Sequence, residues 1–171
     1  IVYDFNTKSV SITPQKAMSV LDDVLHDTTK RVAKLTKHGV TDISAFGTSM
    51  GTQYATYAAA YNPAIKKIVL NLAYGDLYDH IINFPPIRFL PKSRIEKFME
   101  AAGSKEELHA TTRKYSTIEL AKLFKGRKVL IYLAKNDSVM PHHISIKFKK
   151  ALEQNGAHVT YIENQGKDHY M

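Results

Sequence analysis

The sequence predicts an α/β fold: a mostly parallel sheet with helices on both faces and one helical insertion. Short runs of Val, Ile and Leu alternate with segments of helical periodicity of about 10–20 residues. Such uninterrupted apolar runs are typical of strands in a parallel sheet that is covered by helices. The alternation stops between residues 76 and 124. We therefore expect a core formed by residues 1–75 and 125–171, and a helical insertion formed by residues 76–124, called the lid from here on.

The predicted strands are short, rich in β-branched residues and bounded by turn residues. Their order along the chain, with a helical pattern between most neighbours, is the pattern of repeated strand–helix–strand units. The five predicted strands are residues 1–3, 42–46, 65–72, 128–133 and 158–162.

The predicted helices begin at capping residues and end at glycine or proline. Thr13, followed by proline, begins the first helix and Gly39 ends it, whereas the second follows Gly51 and ends at residues 62–63. A last helix spans residues 141–154. The lid contains three capping boxes, in which a serine and the glutamate three residues later satisfy each other's amides, and these start at Ser93, Ser104 and Ser116.

The composition excludes several classes of protein. With 171 residues, of which 44% are hydrophobic and 23% charged, the chain is long enough for one globular domain. The absence of cysteine excludes disulfide scaffolds, thiol catalysis, iron–sulfur clusters and cysteine-ligated zinc. We expect no metal and no cofactor. No apolar run approaches the ~20 residues of a spanning helix, so we expect no membrane span.

The net charge of +8 arises from 24 Lys and Arg against 16 Asp and Glu. These basic residues are scattered and interleaved with acidic ones, so the sequence favours a solvated surface over a nucleic-acid interface. The chain begins at Ile1, inside a predicted strand, and ends two residues after His169. We expect a fragment of a longer protein, located in the cytoplasm, with a small molecule rather than a nucleic acid as its partner.

A G-x-S-x-G motif occupies residues 47–51, directly after a predicted strand and at the start of a predicted helix. A turn this tight favours glycine on both sides of the serine. It would lift the hydroxyl of Ser49 above the carboxyl edge of the sheet, at the positive end of a helix. The alternative interpretation is a serine that caps the helix between two glycines.

A serine hydroxyl needs a base to become a nucleophile. His169 is the best candidate, because it follows the last predicted strand and so falls at the carboxyl edge of the sheet. Asp137, after strand 128–133, is the candidate that orients the imidazole, with a turn or capping role as its alternative. Asp76 is the rival acid. The other histidines are interpreted as surface or capping residues: His26, His38, His80, His109, His142, His143 and His158.

The order Ser49, Asp137, His169 and the strand–turn–helix setting of Ser49 resemble the α/β-hydrolase family. The resemblance implies Ser49 as nucleophile, Asp137 as acid, His169 as general base and the backbone N–H of Met50 as half of the oxyanion hole. It also implies a helical lid before the acid strand. The activity it implies is hydrolysis of an ester or thioester of a small or acyl substrate through an acyl-enzyme. The alternative is a non-catalytic or acyltransferase member of the same family.

Overall fold

The computed structural model describes residues 13–83, 92–166 and 168. Within this part the chain forms four strands, seven α-helices and one 3₁₀ turn. The predicted strand at residues 1–3 lies outside the described residues. The strands are β1 Ile43–Thr48, β2 Ile65–Asn71, β3 Lys128–Ala134 and β4 His158–Asn164. The helices are α1 Pro14–Lys37, α2 Gly51–Tyr61, α3 Leu77–Asn83, α4 Lys92–Ala102, α5 Lys105–Arg113, α6 Thr117–Leu120 and α7 His142–Gln154, and the 3₁₀ turn is Ala121–Phe124.

The four strands form one parallel sheet in the order β1-β2-β3-β4. Helix α2 connects β1 to β2, helices α3 to α6 connect β2 to β3, and α7 connects β3 to β4. The α/β fold and the helical insertion are therefore confirmed. Because the strands are parallel, their carboxyl ends all lie at one edge, and the loops at that edge are neighbours in space.

The core lies between the sheet and the helices. Helices α2 and α7 pack on the strands, and α1 packs on α2. Ile68 and Val129, which are register partners on adjacent strands, are each 1% exposed on the helix-covered face. The sequence predicts helices on both faces, and the described helices pack on this one. On the opposite face, Phe46 is 69% and Ile162 is 47% exposed.

The helix ends follow most of the capping chemistry of the sequence. At the start of α6, Ser116 accepts from the Glu119 amide, which is one half of the predicted capping box. Thr13 accepts a hydrogen bond from the Lys16 amide, and Ser104 forms a reciprocal capping box with Glu107. Ser93, by contrast, lies inside α4, which begins one residue earlier, so its predicted capping position is wrong. Helix α3 was not predicted. It is only seven residues long, and Asp76 caps it by accepting from the Asp79 amide.

None of the helices in the described ranges combines the length and the apolar character needed to cross a membrane.

Candidate active site

Ser49 occupies the sharp turn between β1 and α2. Its φ of 51° is in the left-handed region, which Leu72 is the only other described non-glycine residue to adopt. Such a conformation costs on the order of 1–3 kcal/mol and persists only where the surroundings enforce it. One such restraint is the Ser49 amide, which donates to the carbonyl of Asn71 at 2.9 Å and continues the β1–β2 ladder past the end of β1.

The two glycines of the motif differ in whether a side chain would fit at their positions. A Cβ on Gly47 would lie 2.7 Å from the Cα of Thr52 and even closer to the carbonyl oxygen of Gly51. Both are backbone atoms, so glycine is required at position 47 for the helix to start so close to the strand. A Cβ on Gly51 meets nothing within 4 Å. The expectation that both glycines are sterically necessary is therefore correct for Gly47 and wrong for Gly51.

Met50 follows Ser49 and is the N-cap residue of α2. Its carbonyl accepts from the Gln53 amide at 3.1 Å, and its side chain is 43% exposed. The N-terminal peptide units of a helix carry partial positive charge, which stabilises a developing oxyanion. The location of Met50 thus suits the predicted oxyanion role of its N–H, which stays a prediction.

Asp137 is partly buried in the loop at residues 135–141, called the acid loop from here on. Its Oδ1 accepts hydrogen bonds from the amides of Val139 at 2.9 Å and Met140 at 2.7 Å. These bonds give Asp137 the turn-capping role that was its alternative interpretation. They also hold the carboxylate at the carboxyl end of β3. One strand separates β1 from β3, so these strands lie about 10 Å apart, and Ser49 and Asp137 follow them at the same edge of the sheet.

The segment that leads toward His169 is bonded to the acid loop. The amide of Ser138 donates to Oδ1 of Asp168 at 2.7 Å. Ser138 follows the predicted acid Asp137, and Asp168 precedes the predicted base. His169 itself lies outside the described residues, so its contacts with Ser49 and Asp137 stay predictions. One hydrogen bond nevertheless joins Ser138, the neighbour of the predicted acid, to Asp168, the neighbour of the predicted base.

The sequence analysis did not predict a second contact in this region, between Glu163 at the end of β4 and His142 at the start of α7. The carboxylate of Glu163 accepts from the Tyr161 hydroxyl at 2.5 Å, lies 2.6 Å from Nε2 of His142, and accepts from the Gln165 amide group at 2.7 Å. The bonds from Tyr161 and His142 lower the pKa of Glu163 to about 2. His142 therefore pairs across the fold, joining the start of α7 to the end of β4. The signal in the sequence was the two-residue spacing of Tyr161 and Glu163, which places both on one strand face.

Asp76, the rival acid, has structural partners. Its Oδ1 accepts from the Asp79 amide at 3.0 Å, and its Oδ2 accepts from the Ser116 hydroxyl. It thereby joins the start of α3 to the start of α6. It also lines a cleft of about 300 Å³, and neither Ser49 nor Asp137 is among the residues that form it: Asp76, Tyr78, Asp79, His109, Thr112, Arg113, Ser116, Ile118 and Glu119.

Comparison with known proteins rests on structure. No protein-family model matches the chain, and no curated protein matches its sequence significantly. A puromycin-hydrolysing peptidase of Mycobacterium tuberculosis is similar in structure, with a TM-score of 0.66 and 19% identity over 85% of this chain. The acylaminoacyl peptidase of Pyrococcus horikoshii gives a TM-score of 0.60 with 18% identity over 76% of the chain. A cold-adapted esterase from an Arctic intertidal metagenomic library gives 0.55 with 16% identity over 86%.

The matched region is a small part of the similar proteins. It spans 22% of the M. tuberculosis peptidase, 20% of the P. horikoshii peptidase and 47% of the esterase. At these identities the likeness establishes the fold, which is that of the α/β-hydrolases.

Proposed function

From this α/β-hydrolase fold we propose that the chain carries the catalytic residues of a serine hydrolase that cleaves a carboxylic ester or thioester of a small molecule. Ser49 is the nucleophile, Asp137 the orienting acid and His169 the general base. The observation that carries the proposal is the left-handed backbone of Ser49 between a strand and a helix. Strain of this kind at a serine serves to expose its hydroxyl at the sheet edge, and a purely capping serine has no need of it.

The proposed reaction proceeds in two halves. The Ser49 Oγ attacks the carbonyl carbon of the substrate while His169 takes the hydroxyl proton, and His169 then gives that proton to the departing alcohol or thiol. A water molecule, deprotonated by His169, attacks the resulting acyl-enzyme and releases the acid, and the proton returns to Ser49. The N–H of Met50, at the N-terminus of α2, donates to the oxyanion in both halves.

The position of Asp137 supports its proposed role. It lies at the same sheet edge as Ser49, and the adjacent Ser138 is bonded to Asp168, the neighbour of His169. A carboxylate there can accept from the imidazole and stabilise the imidazolium that forms during proton transfer. Ester and amide cleavage share this machinery, and two of the similar structures are peptidases. The substrate test therefore includes both bond types.

A fluorophosphonate probe tests the proposal in the full-length protein that contains this sequence. We expect labelling of the wild type at Ser49, and loss of labelling and of short-chain p-nitrophenyl ester hydrolysis in Ser49→Ala. Ser44→Ala, which removes an exposed serine from β1, the strand before Ser49, is the matched control and should label like the wild type. An aminoacyl p-nitroanilide should be cleaved more slowly than the ester. Labelling that persists in Ser49→Ala, or an unlabelled wild type, contradicts the proposal.

A further inference from the structure

Thr52 makes two hydrogen bonds at the turn of Ser49 with one buried hydroxyl. It lies in the first turn of α2, three residues after Ser49, and is 0% exposed. Its Oγ1 donates to the carbonyl of Ser49 at 2.7 Å and accepts from the amide of Tyr74 at 2.6 Å. Its own amide donates to the same Ser49 carbonyl at 2.9 Å. The hydroxyl therefore relays a hydrogen bond from Tyr74 to Ser49.

The relay acts on the strained residue itself. The amide of Ser49 is held by Asn71, and its carbonyl is held by both donors of Thr52. Both peptide units of Ser49 are thus fixed, which is the condition under which a left-handed serine persists. Donor–acceptor chains of this kind also strengthen each of their bonds in a buried setting.

The other end of the relay is the linker between β2 and α3, residues 72–76. Hydroxyl groups from other helices hold the same linker: Ser145 donates to Ala73 at 2.6 Å and Thr117 donates to Gly75 at 2.5 Å. Thr52 adds the bond from the helix that follows the nucleophile. Tyr74 is 4% exposed, so removing the Thr52 hydroxyl takes an acceptor from an amide in a buried residue, which is costly.

We propose that Thr52 is a positioning residue that couples the linker 72–76 to the backbone of Ser49. The inference rests on the proposed serine hydrolase function. Removing the relay relaxes the turn and moves the Ser49 Oγ away from the attack geometry. Misplacement of reacting groups by as little as 1 Å costs about 10²-fold in rate.

The test compares Thr52→Val, Thr52→Ser and Thr56→Val in the full-length protein. Thr56 is the matched control: it lies one turn further along α2 and is 1% exposed, and its hydroxyl makes no hydrogen bond within the described part of the chain. For p-nitrophenyl ester hydrolysis, Thr52→Val should lower kcat about tenfold to a hundredfold with KM changed less than about twofold. Thr52→Ser should restore most of kcat, and Thr56→Val should match the wild type. Equal kcat in Thr52→Val and Thr56→Val overturns the inference.

Hydrogen exchange gives a readout that does not depend on activity. The Tyr74 amide should be protected in the wild type and in Thr56→Val, and it should exchange at least about tenfold faster in Thr52→Val. Unprotected Tyr74 in the wild type overturns the relay without any variant, including the case in which Thr52→Val does not fold. A wild type that fluorophosphonate leaves unlabelled but in which Tyr74 is protected rejects the proposed function and retains the relay.

Discussion

The two candidate acids, Asp137 and Asp76, differ in the groups that their carboxylates bind. Asp137 uses Oδ1 to hold two amides of its own loop, whereas the bonds of Asp76 join two separate helices of the lid. Both aspartates follow strands, so position in the sequence alone did not distinguish them. Their contacts differ, and the bonds by which Asp76 joins two helices are a structural role, which favours Asp137 as the acid of the proposed site.

Asp137→Asn and Asp76→Asn test this distinction directly. An asparagine at 137 keeps an oxygen for the amides of Val139 and Met140 but loses the charge that stabilises an imidazolium. We expect kcat for ester hydrolysis to fall at least about 10²-fold with little change in Tm. Asp76→Asn should change kcat less than about threefold and lower Tm by a few degrees. If Asp76→Asn has the larger effect on kcat, the acid is Asp76.

At the scale of the element, the strand–turn–helix around Ser49 depends on one close approach of backbone to backbone. The glycine at 47 provides the space for it, and the glycine at 51 occupies a helical position with open surroundings. The motif letters do not reveal this asymmetry. It follows from the path of α2, which starts directly above the end of β1.

Gly47→Ala and Gly51→Ala should therefore differ sharply. A methyl group at 47 collides with the backbone of α2, so we expect a large fall in Tm and loss of fluorophosphonate labelling. A methyl group at 51 has room, and alanine favours a helix over glycine, so Tm should hold or rise and labelling should persist. Thermal unfolding and labelling of the same samples check both. Equal tolerance at the two positions contradicts the packing argument.

Local patterns predicted most elements of the fold because the relevant forces act over a few residues. Capping chemistry located the starts of α1, α5 and α6, and apolar runs located all four described strands. Helix α3 escaped prediction because seven residues carry too little periodicity. The roles of Thr52 and Glu163 escaped it for another reason. Tyr74, which bonds Thr52, is 22 residues away along the chain, and His142, which bonds Glu163, is 21 residues away, so these contacts exist only in the folded chain.

At the scale of the whole molecule, the hydrogen-bonded pair of Glu163 and His142 joins α7 to β4. This pair makes the stability of the folded protein depend on pH in the acid range. The hydrogen bonds from Tyr161 and His142 lower the pKa of Glu163 from an ordinary value of 4.5 to about 2. The carboxyl proton of Glu163 is therefore bound less tightly in the folded protein than in the unfolded chain. The contribution of Glu163 to stability is complete above about pH 5 and is lost as pH falls toward 2.

Glu163→Gln should remove part of this pH dependence. Between about pH 5 and pH 2 the wild-type Tm should fall by a few degrees more than that of the variant, because the variant has no carboxylate to protonate. Thermal unfolding across this range measures the difference. Glu153→Gln is the control, since Glu153 forms an exposed pair with Lys149 on α7. If the Glu163→Gln curve parallels the wild type, the pair does not contribute to acid stability.

The hydrogen bond from Ser49 to Asn71 has a consequence for how the molecule moves. By this bond the proposed nucleophile belongs to the cooperative unit of the first two strands rather than to the surface loops around it. Local opening of the lid helices need not break this bond, and it reaches Ser49 only at the carbonyl, through Tyr74 and Thr52. Only separation of β1 from β2 frees the Ser49 amide, so this end of the residue is held for as long as the two strands stay paired.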